Sequence, residues 1–96
     1  MDYAQFRDRV RERVEEAVGD EPPVTFDAAT GVWRRGKLRV TLVLAGDGET
    51  ALASRTAADL FRVPNTLGVR HDVTEAGVSE CAGSIVGWLN NPSLYS

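Results

Sequence analysis

Cysteine is all but missing from this sequence: among 96 residues there is one, Cys81. A single thiol excludes an internal disulfide and any zinc site built from several cysteines, and it fits a reducing compartment. Long apolar runs are missing as well. No segment approaches the ~20 apolar residues that a membrane-spanning helix needs. The opening Met1, Asp2 and Tyr3 lead into a charged pattern without the apolar stretch of a secretory signal. The expectation is a cytoplasmic protein with no membrane contact. Lysine is scarce, Lys37 standing alone against ten arginines, a skew that reads as GC-rich coding bias and carries no functional argument. Positive charge is not in excess either. The net charge of −3 argues against a global nucleic-acid-binding field while leaving room for a local basic patch.

What is present is enough for a core. Hydrophobic residues make up 43 % and charged residues 26 %, values typical of a globular domain rather than a disordered tail. Chains of this size bury only about 60 to 65 % of their unfolded surface, too little for two cores. One domain is expected over residues 1–92, with 93–96 as a C-terminal tail.

Tyr3, Phe6, Val10, Val14, Ala17 and Val18 recur at steps of three and four, which predicts an amphipathic helix over about 3–18. Asp2 with Gln5 suits a capping box, Gly19 sits where a left-handed C-cap belongs, and Pro22 and Pro23 block continuation. On its outer face, opposite charges three or four apart (Asp8 and Arg11, Arg9 and Glu12, Arg11 and Glu15, Arg13 and Glu16) read as a solvated surface.

The middle of the chain reads as strands. Val24, Phe26 and Ala28 alternate, a turn over 29–31 precedes Val32 and Trp33, and Gly36 breaks the run. Residues 38–45 alternate with both faces growing apolar, as a central strand does. Asp47 and Gly48 form a hairpin signal, yet Ala53, Ala57, Leu60 and Phe61 make a helical stripe, and a middle helix over about 50–62 is the preferred reading. Leu67, Val69, His71 and Val73 alternate as another strand with His71 on its apolar side. A last helix carries Val78, Cys81, Ala82, Ile85, Trp88 and Leu89 on one face, started by Thr74 and stopped before Pro92. The fold class expected is α+β, with a three- to four-stranded sheet packed against the N-terminal and C-terminal helices.

Several motifs invite a catalytic or cofactor reading and fail on chemistry. Gly31, Gly36 and Lys37 satisfy GxxxxGK, but Leu38 follows where a magnesium-ligating hydroxyl and a helix are required. Gly46, Gly48 and Ala51 fit GxGxxA, but Asp47 and Glu49 bring negative charge to the place a pyrophosphate must approach. His71 and Cys81 would make a base and a nucleophile only if they met in an open site, and both sit on apolar faces that favour burial. The acidic pairs lack the dense ligand spacing of a calcium loop. No catalytic residues, metal or cofactor are assigned.

One stretch departs from the acidic average. Trp33, Arg34, Arg35, Lys37 and Arg39 place four positive charges beside an aromatic ring, and subtracting them from −3 leaves the rest of the chain at −7. These five are the candidate binding residues, suited to an anionic protein or to phosphate contacts and base stacking. The functional expectation is a non-enzymatic interaction or assembly protein, with a protein partner or self-association. An anion or nucleic-acid binding module using residues 33–39 comes second, and a small enzyme or nucleotide binder third.

Overall fold

The computed structural model describes residues 1–18, 24–36, 38–58 and 64–90. The order is α1 (Tyr3–Ala17), β1 (Thr25–Asp27), β2 (Val32–Arg35), β3 (Leu38–Leu44), β4 (Thr50–Ala58), β5 (Pro64–Asp72) and α2 (Glu75–Asn90). The strands form one antiparallel sheet in sequence order, β1-β2-β3-β4-β5, with β3 central. The α+β class holds in this coarser form, but the sheet has five strands rather than three or four.

The middle helix is not formed. Residues 50–58 are the strand β4, paired along its whole length with β5 and over most of it with β3. Three signals favour the strand. Gly48 takes φ +74 in the turn, the Asp47 carboxylate accepts the N–H groups of Glu49 and Thr50 at 3.0 Å each, and the Ala45 N–H donates to the Thr50 carbonyl at 2.8 Å. That closed hairpin delivers Thr50 already in register. Burial then alternates along 51–56, with Ala51, Ala53 and Arg55 inward, so pairing on both sides overrides the helical preference of alanine. Residues 59–63, where the predicted helix ended, lie outside the described residues.

Both helices cover the same face of the sheet. The α1 capping box forms as its residues suggest: Asp2 accepts the Gln5 N–H at 2.8 Å and the Gln5 side chain accepts the Asp2 N–H at 3.1 Å. At the other end Val18 is extended (φ −78, ψ 142), so the helix ends before Gly19, which lies outside the described residues. Of the predicted surface pairs, Arg11 meets Glu15 at 2.9 Å, whereas Arg9 pairs across to Glu75 of α2. Arg11 also lies over the Phe26 ring of β1, 4.7 Å from its centroid.

α2 starts where Thr74 Oγ1 accepts the Gly77 N–H at 3.1 Å. A Cβ at Gly77 would fall 1.8 Å from the Asp72 carbonyl oxygen, so only glycine lets the first turn of α2 fold back over the end of β5. The core joins Phe6, Val10 and Val14 of α1 to Val78, Cys81, Ile85 and Leu89 of α2, over Trp33, Leu38, Val40, Leu42, Ala51 and Ala53 of the sheet.

Candidate interaction surface

Side chains on a strand alternate between faces, and that rule divides the candidate residues. Trp33 is 1 % exposed and points under the helices, its ring 4.5 Å from that of Phe26. Arg35 also points inward and is 4 % exposed. Its Nη1 donates to the Leu89 carbonyl at 2.5 Å and to Asn90 Oδ1 at 3.3 Å, placing a cation at the C-terminal, partially negative end of α2. Arg34 and Arg39 are exposed on the face opposite the helices and stand directly across from each other in the β2–β3 register. Lys37 lies outside the described residues. The structure therefore brings two of the five candidates together on the surface and turns two into the interior.

The composition of the face opposite the helices, on which no helix of the described residues lies, follows from the registers. That face carries Arg34 and Arg39, then Val32, Thr41 and Ser54, then Val43, Leu52 and Arg70, and finally Thr50 and Asp72. Of these Val32 is buried and Thr41, Thr50, Leu52 and Ser54 are half-buried. Val43 is 44 % exposed there, and neighbouring Leu44, at the open end of β3, is equally so. Beside them a shallow recess of about 200 Å³ is lined by Tyr3, Arg7, Gly31 and Leu42 among others.

The groups with chemical potential lie elsewhere. Cys81 is fully buried, and that burial pushes its thiol up to about 12, so it carries no thiolate at neutral pH. Tyr3 donates its hydroxyl to the Leu42 carbonyl at 3.1 Å, and desolvation raises its pKa, an effect that nearby Arg7 opposes. His71 is 8 % exposed on the inward side of β5, and its Nε2 is buried with no hydrogen-bond partner among the described residues. Arg55 is buried on the inward face of β4, a placement the sequence reading missed, although the alternation of Ala51, Ala53 and Arg55 contained it.

The glycine motifs are turns. Gly36 (φ +58) closes the β2–β3 hairpin, and Gly46 to Gly48 lie in the β3–β4 hairpin with a strand, not a helix, after them. The Asp47 carboxylate occupies the Glu49 and Thr50 amides of that turn, and these bonds hold its pKa below the usual carboxylate range. Among the described residues no helix is long and apolar enough to cross a membrane, and no cluster of three or more His, Cys, Asp or Glu residues could hold a metal.

Comparison with family models, with curated proteins and with solved structures finds no match to this chain.

Proposed function

We propose that this chain is a non-enzymatic interaction protein that works by joining its sheet to another protein surface, as a subunit of a larger assembly or as an accessory partner. One observation carries the reading: Cys81 and His71 are packed inside, while among the described residues no helix lies on the other face of the sheet and a nine-residue strand stands at its edge. Surface of that kind is what protein association uses. The test is sedimentation equilibrium of the full chain, combined with affinity isolation from its native cells and reconstitution with any purified partner. Self-association or a stoichiometric reconstituted complex supports the reading. A monomer at every concentration with no reconstituting partner contradicts it.

A second reading, an anion or nucleic-acid binding module, rests on Arg34 and Arg39 facing each other on the side opposite the helices. It is weaker because Trp33 and Arg35 are not at the surface with them, which removes the stacking ring and one cation from the patch. Affinity for DNA or RNA that falls with salt, and that Arg34→Ala and Arg39→Ala abolish, would favour it.

A further inference from the structure

Arg34 and Arg39 are paired across the β2–β3 hairpin and point to the same face of the sheet, both exposed. Cβ atoms of such a pair stand about 5 Å apart, and like charges directly opposite destabilise a sheet. Nothing in the chain relieves this one. Arg9, Arg11 and Arg70 each lie beside a carboxylate, whereas neither Arg34 nor Arg39 makes an ion pair among the described residues. Asp27, on the same face opposite Val32, accepts the Ala29 N–H at 2.9 Å and makes no ion pair with either. The two guanidiniums thus carry charge that the fold leaves uncompensated.

A second feature of the same face is apolar. Alternation along β3 puts Arg39, Thr41 and Val43 on one side, and Val43 is 44 % exposed with half-buried Leu52 directly opposite. At about 3.3 Å per residue, Val43 lies about 13 Å from Arg39, with the hydroxyls of Thr41 and Ser54 between the two ends. One end of the strip attracts anions and the other attracts an aliphatic side chain.

We propose that this strip holds an extended acidic segment of a partner protein, its carboxylates on Arg34 and Arg39 and an aliphatic side chain about four residues on against Val43 and Leu52. This rests on the assembly reading above and names the chemistry of its partner. Each guanidinium takes a carboxylate in its planar fork. Protein is favoured over nucleic acid by two observations. Trp33 lies under the helices, and no aromatic ring among the described residues stands on this face to stack a base. Removing the two arginines from the net charge of −3 leaves the rest of the chain at −5, which repels a long polyanion but lets a short acidic segment reach the pair.

The test is an NMR titration of the isotope-labelled full chain with a short peptide carrying two glutamates and, four residues on, a leucine. Saturable shifts at the amides of Arg34, Arg39 and Val43 that weaken with salt are expected. Replacing the glutamates by glutamine, or the chain's arginines by Arg34→Gln with Arg39→Gln, weakens binding by roughly tenfold or more. The double variant Arg34→Glu with Arg39→Glu binds instead the peptide with lysines in place of the glutamates. Circular dichroism checks that each variant keeps its fold. No saturable shift, or equal shifts with the glutamine peptide, overturns the proposal, as does tighter binding of an oligothymidylate than of the acidic peptide. Self-association, or a complex reconstituted through another surface, then still upholds the assembly reading. That reading falls separately, with a monomer that has no partner.

Discussion

Arg34 and Arg35 are adjacent in the chain and opposite in consequence. The Arg35 guanidinium donates to the Leu89 carbonyl and the Asn90 side chain at the end of α2 from inside the fold, and Arg34 stands in solvent. Arg35→Ala leaves the Leu89 carbonyl without this charged donor and is expected to cost about 2 kcal/mol in urea unfolding. Arg34→Ala should change stability by less than about 0.5 kcal/mol. Equal effects would show that the burial pattern of β2 is wrong.

Cys81 permits a pH test with a definite sign. Its thiol pKa rises from 9.0 to about 12 on folding, so the neutral thiol is favoured in the folded state. A raised folded pKa gives stability that is full below pH 9 and is lost as pH climbs through 9 toward 12. The total at stake is about 4 kcal/mol at most. The stability advantage of wild type over Cys81→Ala should therefore shrink across that window, and below it thiol reagents should label the native protein no faster than it unfolds. Rapid native labelling at neutral pH would contradict burial of the thiol.

At the scale of elements, glycines in α2 separate two physical roles. Gly77→Ala drives a methyl into the Asp72 carbonyl and should destabilise by about 3 kcal/mol or more, because the obstacle is backbone. Gly83 has nothing within 4 Å of an added Cβ, so Gly83→Ala should stabilise α2 by about 0.5 to 1 kcal/mol. Thermal melts of the two variants should move in opposite directions.

The β3–β4 hairpin has its own acid dependence. The Asp47 pKa is lowered first by the Glu49 amide, then by the Thr50 amide and hydroxyl. Its contribution is full above the ordinary carboxylate pKa and is lost as pH falls through the lowered folded value. Asp47→Ala should remove that part of the acid sensitivity, and Asp47→Asn should keep the turn bonds without the titration.

Legibility in the sequence followed the range of the forces involved. The capping box at Asp2, the first and last helices and the central strand were readable because local spacing determines them. β4 was not, because Ala51 and Ala53 are small for a reason that lies elsewhere in the chain: they lie beneath the helices. The basic stretch was found as a run of residue types, yet strand alternation sends Arg35 inward and leaves Arg34 and Arg39 outside. The β5 edge was visible only as the general liability of small sheets, since its outward groups depend on register with β4.

Taken as a whole molecule, the fold separates chemistry from contact. The thiol and the imidazole are interior, both helices pack on one face, the other face carries no helix among the described residues, and β5 stands at the edge of the sheet. Two-layer folds of this size have modest cores, and association buries surface that a single copy leaves exposed. Self-association of the kind proposed should raise the melting temperature with protein concentration, because a partner that binds only the folded chain stabilises it by mass action.

Sedimentation equilibrium of the wild-type chain over a concentration series tests the central claim most directly. The expected result is a mass rising above that of one chain as concentration increases, or a stoichiometric complex on reconstitution with a purified partner. A mass of one chain at every concentration, with no partner that reconstitutes a complex, would contradict it.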